Sequence, residues 1–253
     1  MKSLLRTLLW LCAAAASVLT ASAPAYAADK PRVLIFSHST GYRHASIETG
    51  VAAIRTLGTE AGYDMVASED PNLFTTEGLR DIDAIVFLSN STKPDDPSSE
   101  WFQGARREAL QAFVRRGGGI VGIHAATDSH YHWPWWGRLM GGRFARHPQG
   151  TPEGDVHVAD RNHRTTNGLP QTMRRVDEWY YFDDYNVTSN VLLTLDPQSI
   201  GEADVNPNPV SWAHEFEGAR VFYTAMGHTA ESYADPNFLR HLRQGITWVL
   251  RRR

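Results

Sequence analysis

The 253-residue chain contains a single cysteine, Cys12. It falls in a segment read below as removed on export, so disulfides, a thiolate nucleophile and cysteine metal ligands are excluded from the mature protein. No glycine-rich dinucleotide fingerprint stands between a strand and a helix, and there is no phosphate loop or Gly-x-Ser-x-Gly elbow. Nucleotide cofactors and serine hydrolase chemistry therefore have no support. A His-Glu-x-x-His motif is also missing. Positive charge is not in excess, with 25 Lys and Arg against 28 Asp and Glu. That balance gives no electrostatic case for nucleic acid. The apolar run from Leu8 to Leu19 is too short, and too soon followed by Ser22 and Pro24, for a good membrane span.

What is present begins with an address. Lys2 and Arg6 form a basic start, the apolar run follows, and Ala25-Tyr26-Ala27 fits a small-x-small cleavage site. Residues 1–27 are read as a signal peptide and 28–253 as one α/β domain, exported to the periplasm or beyond, with no stable membrane insertion after processing. There is no twin arginine, which favours the general export route. All eleven histidines lie in the mature part, along with abundant Trp and Tyr. Such a composition suits a polar pocket walled by rings, as sugar sites often are, although aromatic abundance also serves core packing.

The chain is organised around Gly117-Gly118-Gly119-Ile120-Val121-Gly122-Ile123-His124, which reads as a helix stop, a buried strand and then a histidine. Arg32 to Ser37, Tyr63 to Ser68 and Ala84 to Ser89 read as earlier strands. Ile47, Val51, Ile54 and Leu57 mark one helix face, and Phe102, Ala105, Ala109 and Phe113 another, with Ser98 or Ser99 as its cap. Four βα units before residue 125 imply a doubly wound, mostly parallel sheet flanked by helices, and are too few for a (βα)8 barrel. The second half changes character. Trp133 to Gly142 reads as an aromatic insertion with a short helix. Asp155 to Val158, Glu178 to Phe182 and Val191 to Leu195 read as short strands, Val210 to Phe216 with Arg220 to Ala225 as a β-hairpin, and a final helix starts near Pro236.

Six segments in one order resemble the ThuA family, named for trehalose utilisation: the His38 to His44 loop, Gly117 to His124, Gly141-Gly142-Arg143-Phe144, Asp177-Glu178-Trp179-Tyr180, Pro209-Val210-Ser211-Trp212 and Arg220 to His228. The resemblance covers about Arg32 to Leu250. It implies a flavodoxin-like fold similar to class I glutamine amidotransferases and a role in sugar metabolism. Amidotransferases place a cysteine on the strand-to-helix elbow where this chain has His124. Histidine cannot replace that nucleophile, so glutamine hydrolysis is rejected and acid-base chemistry takes its place.

His124 and His228 each follow a strand whose carboxyl end borders the crevice where open α/β sheets bind ligands, so both are candidate catalytic groups. His228 equally fits a residue capping the last helices. Glu178 beside aromatic rings is a candidate acid or base, with Tyr180 on the same side of the strand and Asp177 on the other. His38, Arg43 and His44 in the first loop, and Trp135 and Trp212, are candidate substrate-binding residues, the last two as platforms for a sugar ring; Trp133 and Trp136 are further candidates. Trp101 and Trp248 read as core, and His130, His132 and His157 as surface or packing residues. His38, His44, His124, His147, His163 and His228 together make zinc or a similar divalent ion thinkable, but no spacing fixes a ligand set.

The leading expectation is an exported enzyme that cleaves or rearranges a sugar, disaccharide or keto-sugar derivative by acid-base catalysis. The keto-sugar element comes from the ThuA resemblance. A non-catalytic sugar-binding protein on the same fold is the alternative. Glycoside hydrolysis by two carboxylates is a third reading, which needs a second pocket acid opposite Glu178 that sequence does not name.

Overall fold

Strands β1 (Arg32–Phe36), β2 (Asp64–Ser68), β3 (Ala84–Leu88) and β4 (Gly119–Ile123) form the parallel centre of the fold, with helices α1 (Ile47–Glu60) and α2 (Ala105–Arg115) between them. β3 and β4 are buried at every position, as an unbroken apolar run covered on both faces must be. The computed structural model describes residues 30–250; the expected signal segment 1–27 and the tail from Arg251 to Arg253 lie outside the described residues. Among the described residues, no helix is long and apolar enough to cross a membrane.

The remaining elements are α3 (Pro134–Met140), β5 (Arg143–Arg146), β6 (Glu153–Val158), β7 (Thr172–Val176), β8 (Tyr181–Asp183), β9 (Asn190–Leu195), β10 (Asn208–Phe216), β11 (Ala219–Thr224) and α4 (Pro236–Val249). Among the described residues, nine strands share one sheet in the order β2-β1-β3-β4-β11-β10-β9-β6-β7, while β5 and β8 pair separately. The sheet is parallel from β2 to β11 and antiparallel beyond. β10 and β11 make the expected hairpin. The α/β class and the helix-flanked sheet are those read from sequence, with an antiparallel extension larger than the short strands suggested.

Several local expectations shift. Only two of the connections before β4 are α-helices, because between β2 and β3 the chain forms a 3-10 turn at Pro71–Leu73 capped by the Asp70 carboxylate. Pro97–Ser99 likewise forms its own 3-10 turn under Asp96, so Ser98 and Ser99 do not cap α2, which starts after Gly104. Phe102 precedes that helix yet is still buried. Of the three glycines ending α2, only Gly117 has the left-handed φ, +90°. The expected strand at Glu178 to Phe182 begins only at Tyr181, and β5 and β7 form where none was read. β7 hides from pattern reading because one of its two inward residues is charged: Arg175 is buried alongside Met173.

α1 and α4 pack together on one face, with α4 lying along β11 and β4. A cluster of rings fills part of the core, Phe87 standing edge-on to Trp136 and Phe74 edge-on to Phe102. These layers leave the carboxyl edge of β1, β3, β4 and β11 as the place where loops converge.

Candidate functional site

His124 follows the last residue of β4 and opens a 3-10 turn, His124–Thr127, with φ at +50°. A non-glycine residue in the left-handed region is strained, and this is how an elbow lifts one side chain off a strand end. Its Nδ1–H donates to the carbonyl of Ala225 at 2.7 Å. A carbonyl only accepts, so in neutral His124 the Nε2 is a bare lone pair pointing inward. Tyr180 lies against the ring at 4.3 Å and holds its orientation.

Around that lone pair the fold gathers three groups from distant parts of the chain. His44 Nε2 and His228 Nδ1 are each 3.1 Å from His124 Nε2. Glu178 Oε2 lies 3.4 Å from His124 Nε2 and 3.1 Å from His228 Nδ1. One ligand atom from each of His44, His124, Glu178 and His228 falls within 4.8 Å of all the others. Zinc bonds of about 2.0–2.1 Å to imidazole put tetrahedral ligands about 3.3 Å apart, close to the separations of His124 from the other three groups and of Glu178 from His228. Three imidazoles and a carboxylate also suit that ion chemically. A single lone pair can accept well from only one neighbour, whereas a central cation satisfies all four groups together.

The electrostatics follow from burial and mutual contact. Burial and the neighbouring imidazoles push His44 down to about 2, so its ring is neutral. For Glu178, burial opposes ionisation, but the bonds to His124 and His228 overcome it and hold the carboxyl well below the usual range. The bond to Glu178 raises His228 in turn, against its own burial. Tyr180 is raised far above an ordinary phenol by burial, so it stays protonated. On the open side, His147 Nδ1 is 3.3 Å from Glu178 Oε1.

Asp177 is the support that strand alternation did not anticipate. The segment from Asp177 to Tyr180 is not a strand, so Asp177 and Glu178 need not part to opposite faces. Asp177 is fully buried; its Oδ1 accepts the N–H groups of Glu178 and His228, and its Oδ2 that of Gly227. Arg175 and the Ser232 hydroxyl also donate to it. Both Glu178 and His228 are thus fixed by one carboxylate. Asp128, also missed, sits four residues after His124 and accepts from the Tyr131 hydroxyl. Burial raises it to about 6, with the Glu178 charge adding to the effect.

The expected substrate-binding residues divide. His44 is in the cluster. Arg43 is outside it, paired with Glu48 and Glu69, and His38 stands against Trp101. His163 caps a 3-10 turn far along the chain and contacts Trp248, so it is not among the converging imidazoles. Trp212 is fully buried, its indole N–H donating to Met140, and offers no face to a sugar. Trp135 is 5% exposed and bonds Glu217 in the hairpin turn, before β11 begins, at the amino end of the parallel strands and so opposite His124. Trp133 and Trp136 are also buried. Their indoles were needed by the core, where an aromatic run on a short helix packs most area.

A family model described as ThuA, trehalose utilisation, matches residues 32–249. A ThuA-like protein from Bacteroides uniformis superimposes with a TM-score of 0.72 at 27% identity, over 90% of this chain and 95% of that one. One from Parabacteroides merdae gives 0.70 at 18%, over 87% and 90%. PurLQS from Thermotoga maritima gives 0.56 at 15% identity, over 87% of this chain and 99% of that one, a likeness of fold alone. No curated protein matches. With the six sequence segments, the fold and the family model in agreement over almost all of the described chain, the protein belongs to the ThuA, or trehalose utilisation, family.

Proposed function

We propose that this protein is an exported, carbohydrate-active enzyme that cleaves or rearranges a sugar or keto-sugar derivative by acid-base catalysis, with a divalent cation such as zinc held by His44, His124, His228 and Glu178. The carrying observation is the convergence of these four groups within 4.8 Å at the carboxyl edge of the sheet. The family description supports a sugar-related role, and the N-terminal pattern of Lys2, Arg6 and Ala25-Tyr26-Ala27 supports export.

When bound, the cation supplies a Lewis acid for a carbonyl or hydroxyl oxygen. The chain's own groups handle the proton. Beside a carbonyl, a C–H bond is acidic; its proton passes to a basic group of the site other than the cation-bound Glu178, while its electrons form the new C=C bond and the carbonyl π pair moves to oxygen. The resulting enolate either reprotonates elsewhere, a rearrangement, or expels an oxygen leaving group one carbon further, a cleavage. His147 Nδ1 is 2.7 Å from the Pro148 carbonyl, which only accepts, so it carries a hydrogen and faces Glu178 Oε1 as a donor at 3.3 Å. Tyr180, protonated at all working pH values, walls the site against His124.

The test is metal analysis of the purified mature chain and a turnover screen on oxidised and unoxidised disaccharides, with and without chelator. Metal bound in the wild type and lost in His124→Ala, together with turnover abolished by chelator and by that substitution, is the expected result. Wild-type turnover in His124→Ala overturns the assignment. Tight sugar binding without product identifies a binding protein instead.

A further inference from the structure

The indoles expected to stack on a sugar are buried, but one large aromatic beside the cluster is not. Tyr42 is 65% exposed, and its ring stands edge-on to His44 at 4.8 Å. A single exposed aromatic is ordinary by itself; what marks Tyr42 is that its ring touches a member of the cluster.

The backbone presenting it is pinned. Thr40 and Gly41 N–H groups both donate to Ser91 O, at 2.9 and 3.0 Å, and the Ser91 hydroxyl donates to Tyr42 O at 2.6 Å. The Thr40 hydroxyl is bonded to Ser99 O. Gly41 packs so closely that a Cβ there would lie 2.8 Å from Thr92 O. The ring is held out by a rigid loop, which limits the ordering cost of binding.

The next residue, Arg43, bridges Glu48 and Glu69 at 2.7 and 2.8 Å. Those two carboxylates line a groove of about 400 Å³ together with Ser37, Ile47, Val51 and Ser68. Serines, carboxylates and a guanidinium offer donors and acceptors for hydroxyl groups, and the two glutamates repel a phosphorylated or acidic ligand. An apolar ring face on the residue before Arg43, whose two partners line that groove, suits a neutral pyranose, whose C–H face is apolar and whose rim is polar.

We infer that Tyr42 is the stacking platform of a second sugar subsite, holding the outer ring of a neutral disaccharide or glycoside whose inner ring lies at the His44–His124–His228–Glu178 cluster. Arg43 and Glu69 bond the outer ring's hydroxyls. This rests on the sugar-active reading above, and the test separates the two.

Calorimetric titration of the mature protein with trehalose and with glucose, in the wild type, Tyr42→Ala and Tyr42→Phe, decides it. Trehalose binds the wild type more tightly than glucose. Tyr42→Ala weakens trehalose about tenfold and glucose less than twofold, while Tyr42→Phe stays within twofold of wild type, because the ring face and not the hydroxyl does the stacking. Unchanged trehalose binding in Tyr42→Ala, with turnover still lost in His124→Ala, removes the platform and leaves the enzyme reading. Equal weakening of both sugars removes the outer-ring assignment. Wild-type protein that binds neither sugar removes the second subsite, and the turnover screen on oxidised disaccharides decides the enzyme reading separately. Thermal melting of Tyr42→Ala at the wild-type temperature shows that an affinity loss is local.

Discussion

The buried carboxylate of Asp177 accepts the backbone N–H of His228 at 3.0 Å, and so joins the segment carrying Glu178 to the turn carrying His228, fifty-one residues away in sequence. The same group holds Arg175, which is 6% exposed. Removing one partner of a buried pair leaves an uncompensated charge, costing about 3–5 kcal/mol. Asp177→Ala should lose stability of that order in urea denaturation. Asp177→Asn, which keeps the shape, should lose less but bind zinc about tenfold more weakly, since groups that orient ligands commonly matter by such factors. Unaltered zinc affinity in Asp177→Asn would mean that the carboxylate only stabilises the fold.

Zinc should stabilise the folded chain. A ligand that binds only the native state, present at 100 times its dissociation constant, contributes about 2.7 kcal/mol. The melting temperature should rise with added zinc, fall back with chelator and become insensitive to zinc in His44→Ala and in His228→Ala. A wild-type melting temperature indifferent to zinc would remove the cation from the proposed site.

Asp128 should make stability depend on pH in a definite direction. Its folded value, raised to about 6 from 3.8, lies above the unfolded one, so the protonated form is favoured by folding. The contribution is fully present below about pH 4 and is lost as pH rises through about 6, amounting at most to about 3 kcal/mol. Asp128→Asn cannot ionise. Relative to that variant, the wild type should lose stability between pH 4 and pH 7 in parallel denaturation curves. A constant difference across that range would show that Asp128 titrates normally.

Trp212 should behave as core. Trp212→Ala should cost about 3–5 kcal/mol in chemical denaturation, as truncation of a buried large aromatic does. Trp212→Phe should cost less, losing mainly the bond to Met140, and should bind sugars as the wild type does. A folded, fully stable Trp212→Phe with impaired sugar binding would restore the stacking role that burial contradicts.

Much of the architecture follows from local chemistry that the sequence displays. The apolar runs of β1, β3 and β4, the glycines after α2 and the hairpin at Glu217-Gly218 each depend on short-range patterns, and each is present. His124 could be placed at a strand's carboxyl edge for the same reason: the strand before it is unmistakable. β7 and the Asp177 hub were not legible, because a buried Arg175 breaks the apolar alternation and its compensating carboxylate lies two residues on.

By itself, the sequence determined the family, the α/β class and the edge of the sheet where histidines would collect, since all three depend on periodicity and order along the chain. Only the tertiary structure decided which of eleven histidines meet. It joined His44, His124 and His228 to Glu178 while leaving His163 with Trp248, and it buried Trp135 and Trp212 while leaving Tyr42 in solvent. The physical reason is that distances between side chains far apart in sequence, and their solvent exposure, are properties of loops brought together by the sheet. Residues 80 and 104 positions apart carry no mark in sequence that their ring nitrogens will stand 3.1 Å from one another.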